Sequence, residues 1–255
     1  MDWSNTKTIF IIIFLFLNVF LAYQLMEKQQ HSHFSELLHE SMQELLQENI
    51  EINVSNPEEP ITGSPILGSL QSFNEETLHF DRQIQDIEIF GQMLSSQLVS
   101  PYPLNRDTIE LGVETFLQEY VYRGEQYRFH RFDEEDNVIH LQQLYEGNPI
   151  SNQEQESHIK LFMNDDFEIQ SYQQEYWVIS EGERQQEILL PLEAIERLYI
   201  EGKIPRDTVI DYVELGYYSL LPSIGQNQVY TPMWKVEVND TFQLVDAIDG
   251  SITSQ

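Results

Sequence analysis

A chain of 255 residues that is 41% hydrophobic and 12% aromatic has room for one membrane anchor plus one large or two small domains, and enough apolar side chains to pack a core. Its 43 Asp and Glu against 13 Lys and Arg give a formal charge of -30, which repels phosphate backbones and anionic headgroups and argues against nucleic-acid or peripheral lipid binding. The absence of cysteine rules out disulfides, thiolate zinc sites and cysteine nucleophiles.

From Ile9 to Leu17 every residue is Ile, Phe or Leu, and after Asn18 the run resumes with Val19, Phe20, Leu21, Ala22 and Tyr23. Residues 9–26 therefore predict a helix of ~27 Å, long enough to span a bilayer, with Trp3 and Tyr23 near its interfaces. A cleaved signal peptide is the rival reading. Ala22 is the best small residue for a cleavage site, but Phe20 occupies the place where a second is wanted, so the helix is expected to be retained. Lys7 is matched by Lys28, and the amine of Met1 tips the orientation toward an inside N-terminus. Residues 1–8 then form a cytoplasmic tail too short for a docking domain, and any signal passes through lateral contacts of the helix. Asn18 is the candidate contact residue, with Phe14 and Leu21 as its neighbours, because an amide at membrane depth favours a polar partner across a helix interface. A tolerated or locally hydrated Asn18 is the plainer alternative.

Outside the membrane, the first portion covers residues 27–104. Phe34, Leu37, Leu38, Met42, Leu45 and Leu46 recur at helical spacing, Ile50, Ile52 and Val54 alternate as a short strand, and Asn56-Pro57-Glu58-Glu59-Pro60 breaks the pattern. Weaker strands are expected at Ile66 to Leu70, Thr77 to Phe80 and Ile84 to Phe90. In the central portion, 105–185, a helix opens at Asp107 with Glu110 three residues on, buries Ile109, Val113, Phe116, Leu117 and Tyr120, and ends before Gly124. Strands follow at Gln126 to Phe132, Val138 to Tyr145, His158 to Met163 and Phe167 to Ile179, with acidic turns at 133–137 and 164–166. The last portion, 186–255, has a helix from Pro191 to Glu201 followed by Gly202, presenting Leu192, Ile195, Leu198 and Tyr199. Strands near Thr208 to Leu215, Gln228 to Val238 and Phe242 to Ile248 close the chain. Trp234, Val236 and Val238 share a face, and a three-residue loop brings Phe242 and Leu244 onto it whereas a two-residue Asn239-Asp240 turn does not, so the longer loop is expected. The whole reads as α+β, antiparallel sheets each covered by a helix.

Chemistry-bearing constellations are few. His31, His33 and His39 cluster, and a hairpin centred on Glu135 sets His130 opposite His140, a pair able to bind zinc or copper or simply to face each other across strands. The acidic runs lack calcium-loop spacing and read as solvated turns. No nucleophile elbow, P-loop, dinucleotide fingerprint or metalloprotease helix occurs, so no catalytic residue, cofactor or metal is expected. An anchored cell-wall enzyme or a ligand-binding module is the alternative function, and needs a carboxylate-lined cleft or an apolar pocket. Tyr172, Tyr176, Trp177, Tyr217 and Tyr218 are candidates for an exposed aromatic face that binds a partner, or else for sheet packing.

Met1 to Phe10 running into an Asn-interrupted apolar helix, Leu45-Leu46 ahead of Asn49-Ile50-Glu51-Ile52, Pro232-Met233-Trp234-Lys235-Val236 and Val245 to Gly250 together resemble the YycI (WalI) family. This is the family of regulators associated with the YycG/YycF (WalK/WalR) two-component system of low-GC Gram-positive bacteria. The likeness is strongest over the first and last 30 or so residues, and the closing segment also resembles the last strand of PepSY-type domains. The resemblance implies a single-pass membrane protein with the N-terminus inside, no catalytic residues, and contacts from helix and extracellular domain to the sensor kinase YycG and the paralogue YycH. Through these it adjusts cell-wall metabolism.

Overall fold

The computed structural model describes residues 13–15, 17, 18, 20, 48–74, 78, 83–152, 157–182, 185–221, 225–239 and 241–254. The amphipathic segment around 34–46 and His31, His33 and His39 lie outside these residues, and of the strand expected at Thr77 to Phe80 only Leu78 is described. Among the described residues no helix is long and apolar enough to cross a membrane, and only six positions of 9–26 are described.

In chain order the strands are β1 (Glu51–Ile52), β2 (Thr62–Gly63), β3 (Ile66–Leu70), β4 (Gln85–Phe90) and β5 (Met93–Pro103), followed by helix α1 (Ile109–Tyr120). Then come β6 (Tyr127–Asp133), β7 (Val138–Tyr145), β8 (Asn148–Asn152), β9 (Ile159–Met163), β10 (Glu168–Gln174), β11 (Trp177–Ser180) and β12 (Gln186–Glu187). Helix α2 (Pro191–Ile200) precedes β13 (Val209–Ile210), β14 (Val213–Ser219), β15 (Asn227–Val238), β16 (Thr241–Asp246) and β17 (Ile252–Ser254). Thirteen of the described strands form one sheet, whose spine runs β11-β3-β15-β14-β8-β7-β9-β10-β5-β4. The protein is thus α+β and its pairings are mostly antiparallel; β14 with β8 is the parallel pairing inside the large sheet.

Helices α1 and α2 each cover a core. Val113, Phe116 and Leu117 of α1 pack on Leu94, Ile139, Leu141, Leu161 and Tyr172. Ala194, Ile195 and Leu198 of α2 pack on Trp234, Val236, Val238 and Val245, together with Ile50 and Ile210. Ile66, Ile150, Trp177, Tyr217 and Tyr230 fill a third cluster. Each fully buried large apolar side chain contributes about 1.5–3 kcal/mol, so these alternating inward positions, rather than the polar turns, decide the sheet's register.

Side chains satisfy N–H groups at and ahead of the helix starts, one of them brought from elsewhere in the chain. Asn105 accepts from the Asp107 N–H to open a short 3-10 turn ahead of α1. At the start of α2, Glu193 reaches back to the Leu190 N–H at 2.7 Å and Asn56, from the proline-flanked break, accepts from the Leu192 N–H at 3.0 Å. Beyond α1, Gly124 lies so close to the helix that a Cβ there would stand 1.8 Å from the Leu117 carbonyl oxygen. A residue without a side chain is needed there for contact rather than for conformation.

Four expectations are corrected. The β15–β16 hairpin pairs Val238 with Thr241, a two-residue loop with Asn239 at φ 50. Val245 and Ala247 complete the Trp234 face, while Leu244 packs with Tyr218 and Met233 on the other; the sheet has apolar partners on both faces, so the shorter turn exposes nothing. His130 sits at a bulge, and Arg131 rather than His130 pairs with His140. The stretch Phe167 to Ile179 is two strands, because Glu175 and Tyr176 carry the chain from β9 and β5 across to β3. Finally, Thr208 to Leu215 divides into β13, which pairs with β1, and β14, which pairs with β15.

Candidate functional site

Ile13, Phe14, Leu15, Leu17, Asn18 and Phe20 are helical, and all six are exposed. In water such a row of large apolar side chains is unfavourable by roughly 1.5–3 kcal/mol for each one left uncovered. The Asn18 amide donates to the Phe14 carbonyl at 2.7 Å, one turn back. Among the described residues the second N–H and the carbonyl oxygen of Asn18 make no hydrogen bond. Leu21 lies outside the described residues.

The external aromatic candidates are core residues. Tyr172 is fully buried, and its hydroxyl donates to the Tyr120 carbonyl at 2.7 Å, where α1 ends. Gln85 donates to the same carbonyl, and Gln174 to that of Tyr122. Carbonyls at and just beyond the end of α1 are thereby satisfied from the sheet, and burial pushes the Tyr172 phenol well up. Trp177 is gripped through its backbone by the Gln143 side chain, whose amide both accepts and donates. Its ring meets Tyr230 edge-on at 6.0 Å, an approach that Gly68 permits, since a Cβ there would stand 2.8 Å from the Tyr230 ring. Tyr217 packs edge-on against Tyr145 at 5.3 Å, and its neighbour Tyr218 joins Met233 and Leu244. Consecutive residues of β14 are both buried because both faces of the sheet are covered there. Tyr176 accepts from Arg123 and donates to Gln126. These five side chains are therefore packing and capping elements, and no exposed aromatic face is built from them.

Polar chemistry is concentrated in two clefts. One, of about 680 Å³, lies between Pro57 to Pro60 and the start of α2; it includes Glu58, Glu59, Glu187 and the helix-capping Glu193. The other, of about 1040 Å³, lies between α1 and the strands β6 and β14. Across it Arg128 of β6 grips Glu214 of β14 with two hydrogen bonds of 2.5 and 2.8 Å, and Tyr212 donates to the same carboxylate at 2.7 Å. Burial acts to raise the Glu214 carboxyl, but the donors from Arg128 and Tyr212 outweigh it and hold the group below its usual range. Glu214 is thus fixed as an ion-pair partner, the opposite of what a general acid needs. A raised carboxyl is found at Asp246, where burial dominates, yet its oxygen caps the Ile248 and Asp249 N–H groups and lines neither cleft.

The acidic runs work as turn caps. Asp133 accepts from the Glu135 and Asp136 N–H groups, and Asn164 from those of Asp166 and Glu168. Among the described residues no group of three or more His, Asp or Glu is placed to hold a metal ion. His158, which no motif singled out, is the most perturbed imidazole among the described residues. It is buried, accepts from the Gln143 N–H through Nδ1, and has its pKa lowered to about 3 by desolvation.

Residues missed by sequence reasoning share one property. Gln85, Gln143, Gln174 and the Arg128–Glu214 pair are polar groups used between elements, and a polar residue in a strand pattern reads as a solvent position.

The family model described as YycI protein matches residues 29–248 of the chain. Among curated proteins none matches. Among solved structures, an uncharacterized protein from Eubacterium rectale is 12% identical, covering 81% of this chain and 91% of that one with a TM-score of 0.49. YycH from Bacillus subtilis is 16% identical over 73% of this chain, with a TM-score of 0.40. The chain spans about half the length of that YycH structure, 52%.

Proposed function

The chain belongs to the YycI family, membrane-associated accessory regulators of a two-component system, and from that premise we propose how this member acts. It is held in the membrane by residues 9–26, N-terminus inside, with residues 27–255 outside. It acts by binding rather than catalysis, touching a sensor histidine kinase of the YycG type and a YycH-like paralogue through both the helix and the external domain. The portions 27–104, 105–185 and 186–255, the last with a PepSY-like close, are the external parts.

The family match across most of the external domain carries this reading. Two further features support it. Exposed Ile13, Phe14, Leu15, Leu17 and Phe20 need lipid or protein cover. Asn18 is exposed and spends one N–H on Phe14, and its amide suits a contact worth about 0.6–2 kcal/mol with a neighbouring helix. A helix of this kind biases a kinase by favouring one of two arrangements of the helices it touches.

Exchanging residues 9–26 for an unrelated spanning helix in the full chain tests the proposal. The expected result is loss of regulation of kinase output while the external domain stays folded by circular dichroism. Regulation that survives the exchange overturns the helix as the coupling element. Asn18→Leu is expected to lower co-purification of the membrane partner from detergent by about threefold to tenfold; Phe14→Ala and Leu21→Ala are expected to lower it less.

A further inference from the structure

The larger of the two clefts has a composition that its internal bonds do not explain. Along one wall runs the outer stripe of α1 and the turn before it, with Asp107, Glu110, Leu111 and Glu114 at spacings of three, four and seven residues, one face of a helix. Leu111 is 64% exposed. Ile109, Phe129 and Leu144 form a partly buried apolar floor. The opposite wall is the Arg128–Glu214 pair with Tyr212, in which the two charges cancel. Among the described residues the carboxylates of Asp107, Glu110, Glu114 and Glu125 make no ion pair, and they lie beside an apolar strip.

We propose that this cleft is a docking groove for a cationic amphipathic segment of a partner protein, with Lys or Arg toward the α1 stripe and apolar side chains on the Ile109, Phe129 and Leu144 floor. Charge complementarity selects this occupant. A second copy of the chain carries the same charge of -30, and its own segment around 34–46 bears Glu36, Glu40 and Glu44; both are repelled by the rim. Three of the rim carboxylates, Asp107, Glu110 and Glu114, fall within eight residues of α1 and the 3-10 turn before it, ~10 Å along the axis, which matches cations recurring at helical spacing on a neighbouring segment. A small ligand's site instead converges its polar groups on one point. The inference deepens the proposed function by naming where on the external domain a protein partner sits and of what chemistry, and in that sense rests on it.

The test uses the full chain in neutral detergent and a short fluorescein-labelled peptide with Lys at helical spacing beside an apolar stripe, read by anisotropy against empty micelles. The unmodified chain is expected to bind this peptide and not its Lys→Glu counterpart. The double variant Glu110→Lys with Glu114→Lys is expected to weaken binding about tenfold or more. Glu58→Lys with Glu59→Lys, an equal charge change in the other cleft, leaves it within about twofold. Leu111→Ser lowers affinity about threefold without changing charge. Should the lysine variant fail to fold, Glu110→Gln with Glu114→Gln is expected to give about a threefold loss. Equal weakening by both lysine pairs marks a net-charge effect and overturns the groove, as does displacement of the peptide by spermidine at equal charge, or self-association that the α1 variants abolish. Failure here with co-purification of the membrane partner intact sinks the groove alone. Loss of co-purification with peptide binding intact sinks the proposed function alone.

Discussion

His158 carries an imidazole that the protein keeps neutral by denying it water. Because Nδ1 accepts from the Gln143 N–H, the ring proton sits on Nε2. Its folded pKa of about 3 lies below the ordinary 6.5. The unfolded chain therefore binds the proton between those values while the folded chain does not. The stability this group supplies is complete above pH 6.5 and is lost as pH falls toward 3, at about 1.4 kcal/mol per pH unit. Urea unfolding of the protein and of His158→Asn at pH 7 and pH 4.5 checks this. The variant is expected to be less stable at pH 7 but to lose less on acidification, and equal slopes would falsify the assignment. At Gly124 the expectation is steric: Gly124→Ala drives a methyl into the Leu117 carbonyl and costs about 1–3 kcal/mol, visible as a lowered Tm. Neither role was legible in the sequence. A histidine inside an alternating strand reads the same whether it points out or in, and Gly124 was read as ending the helical region when it is the point of contact with it.

Among the elements, legibility followed the strength of the apolar repeat. Val138 to Tyr145 and the α2 helix from Pro191 agree with the structure closely, because their patterns leave one partition into inside and outside. The long strand β5 went unread because its inward residues are Leu94, Ser96 and Leu98. The middle one is a serine that donates to Gln85 at 2.7 Å, and two prolines close the run. The β15–β16 hairpin shows the reverse error, a register argued from one face when the other also holds a core. Inserting one glycine between Asn239 and Asp240 tests the point. The extra residue turns β16 over, brings Phe242 and Leu244 inward, and expels Val245 from the α2 core. The expected cost is at least about 2 kcal/mol, measured by thermal denaturation. Unchanged stability would mean the register is not what the α2 core selects. Glu214→Ala addresses the joint between β6 and β14. It leaves Arg128 without its carboxylate in a half-buried site and is expected to cost about 1–2 kcal/mol, between an exposed and a buried pair. Since Glu214 titrates below its usual 4.5, the pair's contribution is present above that pH and lost as pH falls further, so the variant and the parent converge in acid.

Across the whole molecule, one sheet passes through all four clusters while the chain carries a formal charge of -30. The order of helical and alternating segments indicated the α+β class and the composition the acidity, but neither showed that the sheet is continuous, because the β8–β14 joint pairs residues 150–152 with 217–219 and nothing local marks so distant a contact. Continuity predicts that Trp177 and Trp234, in different clusters, report the same unfolding midpoint as far-UV circular dichroism. Charge predicts a salt effect of known sign. Mutual repulsion of like charges opposes the folded state, and raising ionic strength from ~10 mM to ~0.5 M shortens the screening length from ~30 Å to a few ångström. Folding stability is therefore expected to rise with salt, by about 2–4 °C in Tm for each kcal/mol of repulsion removed. Sodium and choline chlorides should act alike if screening rather than cation binding is the cause. Peptide binding in the α1 cleft is attraction between opposite charges and must weaken over the same range. The two processes thus respond to salt with opposite signs in one preparation, and a peptide affinity that rises together with Tm would show that the cleft recognises apolar surface and not charge.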